Sequence, residues 1–248
     1  MSELLNNIDN KIFEVKNYLP NGNSVYLKCF KNNTDVVCNV IKEGNIWETE
    51  LHDCIINLNL DKNSVIIEAG THIGSHTILL SNLAKKIYGF EPFPDNHKLV
   101  IENFKLNNVN NVILSTKALS DENNKTIEVE YHDPTLRNAG GWGIHFTKDK
   151  EFTDNSSRYI TIETITIDSL KLDKLDLIKL DVEGNELKVI NGGIKTIEKY
   201  MPIIILEHWG PNLNIDINKT KCEFNILINI GYKIEQIGGS PDFIFSPI

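Results

Sequence analysis

Val65-Ile66-Ile67-Glu68-Ala69-Gly70-Thr71-His72-Ile73-Gly74-Ser75-His76-Thr77-Ile78-Leu79-Leu80 is the stretch whose reading decides the fold. Val65-Ile66-Ile67 is a short apolar run of the kind expected for a strand buried on both faces. Gly70 lets the chain turn sharply, and Gly74 allows the following helix to pack near a ligand. Ile78-Leu79-Leu80, with Leu83 and Ala84, then falls at helix spacing. Strand, glycine turn and helix open an α/β sheet, in which ligands sit beyond the carboxyl ends of the strands.

The same grammar continues downstream. Ile87 to Phe90 reads as a strand, Asp95 can cap a helix running to Asn107, and Val112 to Leu114 reads as a third strand. Lys125 to Ile167 alternates as strand or loop around Asn138-Ala139-Gly140-Gly141-Trp142-Gly143. Leu177 to Leu180 is a strand, Glu186 to Ile197 a helix, Ile203 to Leu206 a strand, and Phe224 to Ile230 belongs to a helix. The last two runs, Tyr232 to Ile237 and Asp242 to Phe245, are separated only by Gly238-Gly239-Ser240-Pro241. They must pair as a hairpin, which puts one antiparallel strand into a mostly parallel sheet. Upstream, Ser24 to Phe30 and Asp35 to Ile41 alternate around Lys31 to Thr34, which predicts another hairpin, and Leu51 to Leu60 has helical spacing. The expected organisation is a β-rich extension over 1–50, packed on one ligand-binding α/β domain over 51–248.

Composition narrows the partners. The chain has 248 residues, 41% of them hydrophobic, and a formal net charge of -9. Affinity for a phosphate backbone comes largely from Lys and Arg, so no nucleic-acid partner is expected. Only Arg137 and Arg158 among the 25 basic residues are arginines, so bidentate anion clamps are scarce. The 4 cysteines form no C-x-x-C pair and read as reduced thiols. Met1 to Pro20 lacks the pattern of a signal peptide, and no apolar run reaches the ~20 residues that span a bilayer. A cytoplasmic protein with a small-molecule partner is the expectation.

The strand ends carry the chemistry. A dinucleotide fingerprint needs G-x-G-x-x-G, whereas this loop offers only Gly70 and Gly74. Glu68, at the strand end, would repel a pyrophosphate but suits the ammonium and sulfonium groups of S-adenosylmethionine. Glu91 ends the second strand, where a carboxylate can accept hydrogen bonds from both ribose hydroxyls. Pro92 and Pro94 stiffen that turn, and Phe93 could cover the adenine. Asp181 and Glu183 follow the Leu177 strand at i, i+2 spacing, so both could face one crevice; Glu183 could instead cap the next helix. Glu207-His208-Trp209 ends a further strand with an acid and an imidazole.

Taken together, VIIEAGTHIGSHT, YGFEPFPDNHKLVIENFKLN, TITIDSL, LDLIKLDVEGNELKVINGG and PIIILEHW resemble the FkbM family of methyltransferases, over roughly Ile46 to Trp209. The resemblance implies a class I, Rossmann-like methyltransferase fold and methyl transfer from S-adenosylmethionine to a hydroxyl of a sugar or related small molecule. The family's first motif usually reads Asp followed by Gly-Ala-Asn. Glu68-Ala69-Gly70-Thr71 departs from it, with Thr71 near the methionine end of the cofactor. The stretch Trp47-Glu48-Thr49-Glu50 is similar to the family's aromatic-Glu segment and makes Glu48 a further cofactor contact. The cofactor set is then Glu48, Glu68, Gly70, Thr71, Ile73, Gly74, Ser75, Glu91, Pro92, Phe93 and Asp181.

An alcohol is a weak nucleophile, so a base or a metal should help remove its proton. Asp181 is the first candidate for that base, with Glu183 or His208 assisting. Trp142 and His145 belong to a substrate-facing loop within Asp133 to Thr147, with Trp142 stacking on a sugar face, and Glu207 is a further substrate contact. Asp181, Glu207 and His208 could ligate Mg²⁺ or Mn²⁺, but their spacing is no recognisable metal motif and no metal site is assigned. Two other classes stay open: a nucleotide-sugar or dinucleotide enzyme of doubly wound fold, and an inactive methyltransferase-like binding module.

Overall fold

In the computed structural model of the chain, the described residues are 7–31, 33–131, 158–209 and 215–248. Two short strands, β1 (Phe13–Val15) and β2 (Val25–Leu27), precede two helices, α1 (Val36–Lys42) and α2 (Thr49–Asn57). The alternating part follows as β3 (Val65–Ala69), α3 (Ser75–Leu83), β4 (Lys86–Phe90), α4 (Pro94–Leu106) and β5 (Val112–Ser115). A three-stranded side sheet comprises β6 (Ala118–Leu119), β7 (Thr126–Tyr131) and β8 (Arg158–Ile165). The chain then runs through β9 (Leu177–Leu180), α5 (Glu186–Asn191), α6 (Ile194–Tyr200) and β10 (Ile203–Glu207). It ends with α7 (Ile217–Glu223), α8 (Asn225–Asn229), β11 (Tyr232–Gln236) and β12 (Asp242–Pro247).

The main sheet has 7 strands in the order β11-β12-β10-β9-β3-β4-β5. Every pairing from β10 to β5 is parallel, and β12 lies antiparallel between β10 and β11. The C-terminal hairpin expected from Gly238-Gly239-Ser240-Pro241 is therefore present. This is the Rossmann-like arrangement of class I methyltransferases. Strand order reverses between β3 and β9, which fixes the crevice at their carboxyl ends.

Alternate residues feed two cores. Ile66 of β3 joins Leu79 and Leu80 of α3, Leu99 and Val100 of α4 and the N-terminal residues Val15, Leu27 and Ile55. Its neighbour Ile67 joins Val189 and Ile190 of α5, Ile197 of α6 and Phe224 on the opposite face. Each fully buried Leu or Ile of this kind contributes ~1.5–3 kcal/mol. Residues 8–41 thus share a core with the sheet rather than forming one of their own. Among the described residues, no helix is long and apolar enough to cross a membrane.

Three expectations need correction. Asp35 to Ile41 is helical: the Asp35 carboxylate accepts from the Cys38 amide at 2.7 Å and starts α1, whose Val37, Cys38 and Ile41 are buried. The N-terminal hairpin is instead β1 with β2. Asp95 does not cap α4; Phe93 occupies that position with Pro94 in the first turn, and the Asp95 carboxylate accepts from the Tyr131 hydroxyl. Glu186 to Ile197 is broken at Gly192-Gly193, where a Cβ on Gly192 would stand 2.0 Å from the Ser120 carbonyl oxygen. Asp168 makes the second helix start there, its carboxylate accepting from the Thr196 amide at 2.8 Å.

Gly74 is needed for packing. It has φ +86°, and a Cβ there would meet Val100 Cγ2 at 2.5 Å and Phe104 Cε1 at 3.0 Å. Gly184 has φ +91° with nothing within 4 Å. Gly74→Ala should therefore lower thermal stability by about 2–4 kcal/mol, combining overpacking of ~1–3 kcal/mol with left-handed strain of ~1 kcal/mol. Gly184→Ala should lose only the strain, and equal melting shifts for the two variants would refute this account.

Candidate active site

Two adjoining crevices open at the carboxyl ends of β3, β4, β9 and β10. The first encloses about 580 Å³, part of it open to solvent, between Gly70, Glu91, Pro92, Phe93, Leu119 and Val182. The second, about 740 Å³, is bounded by Trp47, Glu48, Glu68, Thr71, Ser75, Lys179 and Glu207. Gly70, His72, Asp181 and Glu183 line both. Gly70 (φ +83°) cannot carry a side chain, because a Cβ would stand 1.9 Å from the Asp181 carbonyl oxygen. The loops after β3 and β9 are in contact there, and the strand-end acids gather as a consequence.

Glu91 is held by the backbone. Its Oε2 accepts from the His72 amide at 2.8 Å, and its Oε1 accepts from the Phe93 amide at 3.0 Å and from Asn96 at 3.4 Å. Burial pushes its carboxyl up to about 7 in spite of those donors and of His72. Phe93 forms one wall with its ring stacked on Tyr131, 6.3 Å between centroids.

The second crevice contains a buried cation that the sequence reading overlooked. All 4 residues of β9 are buried, Lys179 among them, and Lys179 lies beside Glu68 of β3 in register. Its Nζ is 3.8 Å from Asp181 Oδ2. Burial pulls the ammonium pKa down, but Asp181, Glu68, Glu48 and Asp242 outweigh it and hold it above its usual range. Glu68 is 1% exposed, and its Oε2 has no hydrogen-bond partner among the described residues. Thr71 Oγ1 and His76 Nε2 are likewise buried without partners at the same crevice. Such orphans call for a polar ligand. Glu48, with φ +49°, sits 3.8 Å from His76 Nδ1, and burial raises its carboxyl to about 8.

Asp181, Glu183 and Glu207 bring carboxylate oxygens within 4.8 Å of one another. Burial, then their mutual charge, pushes Glu183 up to about 7 and Glu207 up to about 9. Glu183 does not cap α5: the loop amides of Val182 and Gly184 donate to Glu186 Oε1 at 3.0 and 3.3 Å, leaving Glu183 at the crevice. Oxygen atoms so grouped could hold a hard divalent ion.

Several residues named from the sequence lie elsewhere. His208 turns away from the crevice, with Nδ1 2.9 Å from Thr220 Oγ1, Nε2 3.0 Å from Glu223 and its ring against Phe224. It is unsuited to act as the base or to join the acids as a metal ligand. Ile73 is wholly buried in the core and Gly74 faces α4, so neither lines a crevice. Ser75, Thr71, Pro92 and Phe93 do line one. Trp142 and His145 lie outside the described residues. Besides Lys179, the reading missed His72, His76 and the N-terminal Val36 and Val37. A lysine inside an apolar strand directly before Asp181 was the available signal, since a buried ammonium needs carboxylates.

Residues 68–230 match the Methyltransferase FkbM domain. A tRNA(Phe) (4-demethylwyosine(37)-C(7)) aminocarboxypropyltransferase of Methanocaldococcus jannaschii is 30% identical over 175 residues, 68% of this chain and 66% of that one. An uncharacterised RNA methyltransferase of Oceanobacillus iheyensis is 40% identical over 57 residues, 23% of this chain and 12% of that one. The crystal structure of methyltransferase FkbM from Methylobacillus flagellatus superposes with TM-score 0.51 at 17% identity, covering 76% of this chain and 45% of that one. In each case the matched part of the chain spans less than two thirds of its relative.

The raised groups fix the sign of a pH effect. Glu91, Glu183, Glu48 and Glu207 have folded values of about 7, 7, 8 and 9, above their unfolded value, and His72 is also raised. The folded chain therefore holds more protons than the unfolded chain between about pH 7 and 9, and stability falls as pH rises through that window. The unliganded protein should melt at a lower temperature at pH 9 than at pH 7, and Glu207→Gln should flatten the slope. A melting temperature rising with pH would contradict the buried acid cluster.

Proposed function

The chain belongs to the FkbM methyltransferase family, and on that premise we propose that it transfers a methyl group from S-adenosylmethionine to a hydroxyl oxygen of a sugar, glycan or related small molecule. One observation carries the reading. Glu91 and Glu68 stand at the carboxyl ends of successive strands on two adjoining crevices, the first oriented by backbone amides, the second buried with an unpartnered oxygen. These residues fit the cofactor: Glu91 can accept from ribose hydroxyls, Phe93 and Leu119 offer apolar walls to adenine, and Glu68 and Glu48 suit an ammonium.

The bound cofactor supplies the electrophilic methyl, and the protein's task is alignment and proton removal. Asp181 lines both crevices, which supports it as the group that takes the acceptor's proton. Glu183 and Glu207, with carboxyls raised to about 7 and about 9, can donate as well as accept hydrogen bonds to neighbouring hydroxyls. A hard divalent ion would be held by Asp181, Glu183 and Glu207, with His208 excluded by its own partners. Proton removal by a carboxylate needs no such ion, so turnover should survive a chelator.

A pyrophosphate would meet Glu68, Glu48 and Glu207 in the second crevice, which disfavours a dinucleotide enzyme. The two RNA-directed relatives raise RNA as an acceptor. The net charge of -9 weighs against it, because phosphate contacts need cations. Labelled-methyl transfer across monosaccharides, nucleotide sugars, short glycans and a tRNA, read by mass spectrometry, separates these classes. An inactive binding module would bind the cofactor and label none of them.

Glu91→Ala should weaken cofactor affinity by about 1–3 kcal/mol, the scale for hydrogen bonds to a charged group; unchanged calorimetric affinity would remove the ribose role. Asp181→Asn should lower kcat more than cofactor affinity, and wild-type turnover would dismiss it as the base.

A further inference from the structure

The family match begins at residue 68, yet Val36, Val37, Trp47 and Glu48 line the second crevice. Two ion pairs link this N-terminal wall to the segment after β3, Glu48 with His76 at 3.8 Å and, at shorter range, Asp35 with His72. Asp35 is 0% exposed; its Oδ1 starts α1 by accepting from the Cys38 amide, and its Oδ2 lies 3.1 Å from His72 Nε2, a charge contact without the alignment of a hydrogen bond. A carboxylate so deep in the protein is costly unless an opposite charge and hydrogen-bond donors face it. His72 has φ +50°, a conformation that costs a non-glycine residue ~1–2 kcal/mol and persists only when its surroundings hold it. In that conformation the His72 amide donates to Glu91 Oε2 at 2.8 Å. Asp35, His72 and Glu91 thus form a continuous chain from α1 to the end of β4.

We propose that Asp35 is a positioning residue for the cofactor site: by anchoring the His72 ring it holds the left-handed turn whose amide orients Glu91. The proposal rests on the S-adenosylmethionine reading above. It makes residues upstream of the family domain a working part of the site. The groups facing the His72 ring are Asp35 from α1, Glu91 after β4, Asp181 after β9 and the Phe30 ring at 6.4 Å, with Glu183 lining the same crevices. Burial lowers the basicity of the imidazole, but Asp35 first, then Glu91 and Asp181, raise it above the ordinary histidine value. A histidine raised in this way holds its charge to higher pH than a free one, and the pair is lost as pH rises through its folded value. Glu91, ionising near 7, changes binding in the opposite direction, so the informative quantity is the difference between wild type and variant.

The test uses the full chain and S-adenosylhomocysteine as probe. Calorimetric affinity is measured from pH 6 to 9 for wild type, Asp35→Asn, Asp35→Glu and His72→Gln, with circular dichroism to confirm folding. Asp35→Asn should bind about tenfold more weakly at pH 7 and lose the alkaline decline, the scale of one charge-assisted contact. His72→Gln should match it, and Asp35→Glu should recover part of the loss. NMR titration of the wild-type His72 ring provides a readout without cofactor, and should give a value above that of a free histidine. Wild-type affinity and pH profile in folded Asp35→Asn would overturn the proposal, as would an ordinary or lowered His72 titration even if every variant failed to fold. Absence of probe binding by the wild type would instead bring down the cofactor reading beneath it.

Discussion

Lys179 stands in a strand buried on both faces, and its ammonium answers Asp181, Glu68, Glu48 and Asp242 at once. A lysine at this depth is costly without carboxylates, and the carboxylates are costly without it. Neither side of the balance is stable alone, which ties the sheet interior to the crevice above it. Asp181 is the hinge of this arrangement, because its side chain meets Lys179 while its carbonyl oxygen packs against Gly70. The charge balance and the close approach of the β3 and β9 loops therefore reinforce each other. Moving either strand end by the width of a methyl group would break both.

The loop after β3 shows the same coupling at the level of the backbone. Gly70, His72 and Gly74 all have positive φ, and they serve different ends. Gly70 admits the neighbouring loop, His72 turns its amide toward Glu91, and Gly74 admits α4 against α3. Only the first two line a crevice. The tight turn is thus as much a packing solution between α3 and α4 as a binding device, which explains why a glycine count alone says little about the ligand.

How far the sequence discloses this depends on the range of the interaction. Period and turn chemistry are local, so Val65 to Leu80, the Gly238 to Pro241 hairpin and the acids Glu68, Glu91, Asp181 and Glu207 could be read directly. Asp35 to Ile41 misled because seven residues with buried positions at 37, 38 and 41 satisfy a strand alternation nearly as well as a helix; the deciding fact was the Asp35 cap. Gly192 looked compatible with a continuous helix because its constraint comes from Ser120, 72 residues away in sequence, as the positions themselves show. His208 looked catalytic because it follows Glu207, but β10 ends at Glu207 and the imidazole of the next residue packs toward α7. Its imidazole meets Thr220 and Glu223, partners that only the packing of α7 supplies.

The distribution of protons says most about the acceptor. A crevice with Glu48, Glu68, Asp181, Glu183 and Glu207 on its walls would repel an anion if all were ionised. With Glu48, Glu183 and Glu207 raised to about 8, 7 and 9, part of that charge is replaced near neutral pH by carboxyl O–H groups. Such groups donate as well as accept, whereas a carboxylate only accepts. A wall with both capacities complements a hydroxyl, which itself does both, and a ring bearing several hydroxyls more than any single charged group. Among the described residues the cations of this crevice face carboxylates: Lys179 faces Asp181 and its neighbours, and His72 faces Asp35. The acid cluster therefore supports the proposed hydroxyl acceptor on the same physical ground that makes it titrate late.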